Sequence, residues 1–384
     1  MKIAMIGQKG IPARSGGIER HVEELSSELA ARGHEVLVFC RAWYTWPIRD
    51  HRGVRCIKAP TIATKHLDAI IHTFTSIIGA AREKVDVFHI HGVGPALLAW
   101  LPKLLRPSAK VIVTFHCIDR HHQKWGWFAR TMLSLGERAS VTFPDAVVAV
   151  SKTLETYCRM SYSANAKYIP NGSQIPQEDA DPALVKIFGL EPGKYLMMCS
   201  RLVKHKGAHL LIEAWKQLRQ ENPELMQEFK LAIVGGSAFT DAYVKTLRDM
   251  SQDDPSIVMT GTQTAGTLHA LFLNSYANVH PSESEGLPIA VLEAMSYGKC
   301  VLSSDIPENL ELTEDHGLSF RRGDADDLKE KMKQMLLDPE MVTEIGKKSR
   351  LHIAKDYDWK DIAETTEYLY ELVQIEPAMT KVKA

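Results

Sequence analysis

Residues 1–33 read MKIAMIGQKGIPARSGGIERHVEELSSELAARG, and the changes of texture within that run decide the fold class. Residues 2–7 are a short apolar run ended by glycine, which reads as a strand. Residues 8–17 hold Pro12 and the paired Gly16 and Gly17, a turn-forming loop. Over 18–32, Ile18, Val22, Leu25 and Leu29 recur with helical spacing, Glu19, Glu23, Glu24 and Glu28 take other faces, and Gly33 follows as a stop. Strand, glycine loop and helix in that order open a parallel α/β unit.

Working outward, the alternation continues. Apolar, β-branched runs at 35–40, 54–58, 86–90, 110–115 and 146–150 read as strands buried on both faces. Around Ile169-Pro-Asn-Gly-Ser-Gln-Ile-Pro176 the chain turns to prolines, an Asn-Gly pair and acidic residues, the texture of a linker. Alternation then restarts, with strands near 195–200, 229–234, 256–260, 277–281 and 299–303 and helices near 207–220, 264–274 and 287–297. A last amphipathic segment, Trp359 to Val373, offers Ile362, Tyr368, Leu369 and Leu372 for packing and is expected to return to the first domain. The predicted organisation is a Rossmann-like domain over 1–170, a linker over 171–180, a second Rossmann-like domain over 181–358 and a C-terminal helix over 359–384.

Bulk properties agree with two soluble-type domains. A length of 384 residues exceeds one ordinary hydrophobic core. The formal net charge of -1 argues against general nucleic-acid binding, which calls for a strongly basic domain. The six cysteines are scattered, with no C-x-x-C pair, so neither a disulfide framework nor a zinc knuckle is expected and a reduced, cytoplasmic compartment fits. No apolar run reaches the ~18 residues that span a bilayer.

In open α/β sheets, ligands bind beyond the carboxyl ends of the strands, so the loops there are where chemistry is sought. After the first strand, Gly16 and Gly17 precede a helix N-terminus, where backbone N–H groups can approach an anion. The loop is neither G-x-G-x-x-G nor a P-loop, so dinucleotide and ATP sites are not indicated. After strand 195–200, Arg201 and Lys206 would converge on one point above the sheet, suited to a diphosphate. After strand 277–281 comes Ser282-Glu-Ser-Glu285-Gly286-Leu287-Pro288, with Glu293 eight residues beyond Glu285. Eight helical residues span about 12 Å. That is too long for a glycosidase carboxylate pair, at ~5–9.5 Å, and suits two ends of one elongated ligand. One glutamate could hold a hexose and the other a ribose, with helix N–H groups on the diphosphate between.

In the first domain, His91 and His116 sit at strand ends as candidate donors to a sugar or acceptor. His89 and His91 share a strand face and form at most half of a metal site. His121 and His122 are expected to face solvent or the acceptor. The Asp-x-Asp look-alikes, Asp179 to Asp181 and Asp324 to Asp326, precede helices and read as capping acids, so no metal site is expected.

These residues resemble glycosyltransferase family 4, retaining enzymes of the GT-B fold. The resemblance rests on Gly16 to Glu19, Arg201 to Gly207, the E-x7-E block of Glu285 and Glu293, and the tryptophan-led last helix. It implies two Rossmann-like domains facing each other across a cleft, metal-independent transfer, no cofactor, and a nucleotide-diphosphate sugar as substrate. It further implies a catalytic set of Glu285, His116, Arg201 and Lys206. The implied donor-binding set is Gly16, Gly17, Arg201, Lys206, Glu285, Gly286, Leu287 and Glu293. Within it, Glu285 takes the sugar, Glu293 the ribose and the two cations the diphosphate. The stretch His116 to Trp127 is similar to a bacterial subgroup that builds cell-surface polysaccharides, which implies a glycan or lipid-linked acceptor. Two alternatives stay open: a nucleotide-sugar 2-epimerase, and an inactive nucleotide-sugar-binding protein. Lys103, Arg106, Lys110, Arg120, Lys124 and Arg130, interleaved with Trp100, Trp125 and Trp127, form a candidate surface for peripheral contact with the inner face of a membrane.

Overall fold

The computed structural model describes residues 1–45, 47–62, 64, 67–118, 127–177 and 179–375. The chain divides into two compact units, Met1–Asn171 with Trp359–Ala384, and Gly172–Asp358. His121, His122, Arg120, Lys124 and Trp125 lie outside the described residues.

The first unit is built on strands β1 (Lys2–Ile6), β2 (Glu35–Arg41), β3 (Asp50–His51), β4 (Val54–Ala59), β5 (Val87–His91), β6 (Lys110–Phe115), β7 (Ala146–Ala149) and β8 (Lys167–Tyr168). Their order is β3-β4-β2-β1-β5-β6-β7-β8, all parallel except the β3–β4 pair. Because strand side chains alternate, Ile3 and Met5 of β1 enter a core with Val22, Leu25 and Leu29 of the helix Gly17–Ala31. Ala4 and Ile6 enter a second core with Ile77 and Ala80 of the helix Asp68–Arg82. A strand buried on both faces must be apolar throughout, which is why β1 reads as a continuous apolar run.

The helix Trp359–Ile375 joins the first of these cores through Trp359, Ile362, Ala363, Leu369 and Tyr370. Tyr368, expected to pack, is 60% exposed, and Tyr370 is the buried tyrosine instead. Its hydroxyl lies 2.6 Å from His89 Nδ1, and the other ring nitrogen of His89 is 2.6 Å from Thr114 Oγ1. His89 is thus a hydrogen-bonded core residue that ties the last helix to the sheet.

The second unit has strands β9 (Tyr195–Cys199), β10 (Lys230–Val234), β11 (Ile257–Gly261), β12 (Ala277–His280), β13 (Val301–Ser304) and β14 (Leu318–Phe320). They run parallel in the order β11-β10-β9-β12-β13-β14. The fully buried Trp215, on the helix Ala208–Glu221, anchors its core and donates Nε1–H to Ser256 Oγ at 2.9 Å. The strands of two or three residues, β3, β8 and β14, were invisible to periodicity, which needs a longer run.

Among the described residues, no helix is long and apolar enough to cross a membrane. Of the cations proposed to face lipid, Lys103 is paired with Asp145 and Arg106 donates Nε–H to Val85 O at 2.8 Å, so both serve the unit's own packing. Trp100, Leu104 and Trp127 are exposed.

Replacing Tyr370 by Phe leaves a His89 ring nitrogen buried and unpaired. The expected cost is roughly 1–3 kcal/mol, read as a lower midpoint for the first unit's transition in thermal scans.

Candidate active site

In the second unit the strand order reverses between β9 and β12, so the loops leaving these neighbours diverge and open a crevice at their carboxyl ends. The two loops are joined at their base. Glu283 N–H donates to His205 O at 2.8 Å. Gly207 sits at φ 76°, and a Cβ there would lie 2.1 Å from Pro281 O, so only glycine lets the β9 loop pass this close. Above that contact the Lys206 ammonium forms an ion pair with Glu285 Oε1.

Glu285 is held by a second group, His280, whose Nε2 is 2.7 Å from the same oxygen. The Glu285 side chain is 8% exposed. Burial alone would raise its pKa, but the Lys206 charge and the His280 hydrogen bond outweigh this and hold the carboxyl well below the usual range. Both partners use Oε1, so Oε2 carries no hydrogen bond among the described residues and is available to a ligand hydroxyl. The following helix starts at Ile289, with Pro288 as its N-cap residue and Gly286 and Leu287 buried before it. Glu293 lies within that helix, half-buried. Its carboxylate reaches the end of β9, adding to the burial that pushes the Cys199 thiol up.

Lys206 therefore occupies a short 3-10 turn, Lys204–Lys206, and is engaged with Glu285. Arg201, the other cation of this loop, is exposed and has no ion-pair partner among the described residues. An acidic side chain within reach captured the lysine, and sequence spacing could not reveal it.

At the carboxyl edge of the first unit, strand order likewise reverses between β1 and β5. The loop after β1 leads through Gly16, at φ 104°, into the helix at Gly17. Glu19, Glu23 and Glu24 were expected on other faces than the buried stripe, but all three are buried. The reason is the loop itself: Glu19 Oε1 accepts Lys9 N–H at 3.1 Å and Glu23 Oε2 accepts Ala13 N–H at 3.1 Å. Glu24 pairs with Arg20 and Arg52. Glu19 and Glu23 thus satisfy backbone donors of the loop, and the buried Glu24 carboxylate is met by two cations that reach in from the surface.

The same edge gathers His21, His91 and His116, all buried. His91 Nδ1 lies 3.2 Å from His116 Nε2, and His21 Nδ1 lies 2.9 Å from Asn171 Oδ1. The amide oxygen accepts, so His21 carries its proton on Nδ1, and its buried Nε2 lacks a hydrogen-bond partner among the described residues. Burial lowers the His21 pKa to about 4, and holds His91 and His116 well below the ordinary value with help from neighbouring imidazoles. Their nitrogens lie within 4.8 Å of one another. They could hold an imidazole-binding metal only by giving up the His91–His116 hydrogen bond. Of the two Asp-x-Asp segments, Asp324 caps a helix through Asp327 N–H, and Asp181 accepts Ala183 N–H. Reading the sequence missed His21 and His280; both are single letters whose role depends on a partner distant in the chain or across a loop.

The descriptions Glycosyltransferase Family 4 and Glycosyl transferases group 1 match residues 15–174 and 183–352, one in each unit. The chain belongs to glycosyltransferase family 4. It is a GT-B-fold enzyme of this retaining family, whose members generally act without a metal, and it transfers sugar from a nucleotide-sugar donor. Among family relatives, the phosphatidylinositol N-acetylglucosaminyltransferase gpi3 subunit of Schizosaccharomyces pombe is 24% identical over 93% of this chain and 78% of its own. Sucrose-phosphate synthase of Thermosynechococcus elongatus superposes with a TM-score of 0.81 at 21% identity, covering 97% of this chain and 98% of that one. Anabaena Alr3699/HepE, solved with UDP-glucose, superposes at 0.79 with 19% identity over 97% and 100% of the two chains.

The neutral histidines predict an acid-sensitive first unit. Unfolded histidines take up protons near pH 6.5, whereas folded His21 does so only near pH 4. Between those values the unfolded chain binds more protons, so the stabilisation is complete above about pH 6.5 and is lost as pH falls. Thermal midpoints should decline from pH 6.5 to 4.5 while ring nitrogen NMR finds His21 neutral at pH 5.5; a His21 ring titrating near 6.5 contradicts this.

Proposed function

We propose that the second unit grips the donor by its two ends, Glu285 on the transferred sugar and Glu293 on the ribose, with Arg201 and Lys206 on the diphosphate between. The observation that carries this reading is the Glu285 carboxylate: ionised, nearly buried, and with Oε2 unengaged at the strand-order reversal. A carboxylate in that state is a strong acceptor for sugar hydroxyls. The backbone before Ile289, at Gly286, would add an N–H donor toward phosphate. In the first unit, the Gly16–Gly17 backbone and His116 are the groups assigned to the donor phosphates and sugar, and that unit takes the acceptor.

In the reaction, the acceptor hydroxyl attacks the anomeric carbon on the face the phosphate leaves. The bond from that carbon to the phosphate oxygen breaks as the new glycosidic bond forms, and the acceptor's proton passes to the departing phosphate oxygen. Arg201 and Lys206 stabilise the charge growing on that phosphate, the task metals perform in other transferases. Glu285 orients the sugar and does not serve as nucleophile.

For the donor, we infer a uridine diphosphate hexose or deoxyhexose, UDP-glucose being the ligand of the Anabaena neighbour. For the acceptor, we infer a lipid-linked or growing glycan in cell-surface polysaccharide synthesis, and the relative named for phosphatidylinositol supports a lipid-borne acceptor. Peripheral contact with a membrane would then run through exposed Trp100, Leu104 and Trp127.

The test is a panel of nucleotide sugars with lipid-linked and soluble acceptors, read as nucleotide release with chelator present. Turnover is expected to persist with chelator. In the same assay Glu285→Ala should lower kcat by roughly 10²-fold or more, the scale of losing one transition-state contact, with little change in nucleotide affinity. Glu293→Ala should do the reverse.

A further inference from the structure

We propose that His280 is a positioning residue for transfer, clamping one oxygen of Glu285 so that the other faces the donor sugar. The proposal rests on the reading of Glu285 as the sugar contact. His280 is the last residue of β12, paired in register with Ser303 of β13, so its backbone is fixed by the sheet. Its side chain is 5% exposed, and Nε2 stands 2.7 Å from Glu285 Oε1 and 3.1 Å from Ser282 Oγ.

The letters Ser, His and Glu suggest a proton relay, but the geometry is different. A relay needs the two ring nitrogens on different partners, one on the carboxylate and one on the hydroxyl. Here both contacts fall on Nε2. The imidazole therefore serves as an N–H donor to the carboxylate, with the Ser282 hydroxyl beside the same nitrogen.

Two groups hold Oε1, and they differ in permanence. Lys206 has a flexible stem and a charge that an arriving diphosphate would share. His280 has a ring packed in the strand end, and among the described residues it is the other group bonded to Oε1. Once Lys206 turns to phosphate, the orientation of Glu285 depends on His280. Loss of this charge-assisted bond should cost about 10–100-fold in kcat.

The test uses UDP-glucose, or whichever donor the panel selects, with His280→Leu, His280→Gln and Glu285→Gln, alongside calorimetric affinity for the product nucleoside diphosphate. A glutamine amide nitrogen occupies the place of Nε2 and can still donate to Oε1. His280→Leu is expected to lose 10–100-fold in kcat with diphosphate affinity within about threefold, and His280→Gln to recover most of the loss. Should His280→Leu fail to fold, His280→Asn replaces it: its amide nitrogen matches Nδ1, cannot reach Oε1, and should show the same loss. Wild-type kcat in the leucine or asparagine variant overturns the proposal, as does equal loss in the glutamine variant accompanied by lost diphosphate affinity. Glu285→Gln at the wild-type rate would instead overturn the underlying reading of Glu285. A slow Glu285→Gln beside a normal His280→Leu removes the positioning role alone.

Discussion

The reversal of strand order between β9 and β12 is the constraint on which the second unit's chemistry depends. Parallel strands wound in opposite directions from a common centre leave their loops nothing to pack on between them. Into that gap the β9 loop brings Lys206 and the β12 loop brings Glu285, and Gly207 permits the close approach that makes the pair possible. Removing a carboxylate from water is costly, so Glu285 is ionised there only because a cation and an imidazole N–H meet it. A charge held ready before any ligand arrives is what a donor-sugar contact requires, because none of the cost of orienting it falls on the reaction.

The first unit solves the corresponding problem with the opposite electrostatics. Its strand-order reversal gathers imidazoles, which burial keeps neutral, so they present a proton or a lone pair without charge. The acids there face the loop: Glu19 and Glu23 spend their oxygens on backbone N–H groups of residues 9 and 13 and so set the path into Gly16. One edge is shaped for charge and the other for neutral hydrogen bonding.

Much of this was legible in the order of residues. Ile3 to Ile6 reads as a doubly buried strand because alternate side chains feed two cores, and Glu285 and Glu293 stand out because a turn and a helix start lie between them. Other features depend on what a residue meets across the fold. Glu19, Glu23 and Glu24 look solvent-facing on a helical projection, yet loop N–H groups and cations cover them. Tyr368 and Tyr370 are interchangeable by composition, and only the position of His89 selects the second. His280 is one histidine among the chain's 16 until Glu285 folds back over it. Periodicity reports which face is apolar; it carries no information on polar partners brought together from separate loops.

The two-ended grip on the donor is tested most directly by saturation-transfer NMR of the bound nucleotide sugar, comparing wild type with Glu285→Ala and Glu293→Ala. The account predicts that Glu285→Ala weakens saturation of the hexose protons while the ribose protons keep theirs, and that Glu293→Ala weakens the ribose protons. Uniform loss across the ligand in both variants, or an unchanged pattern in both, would contradict it.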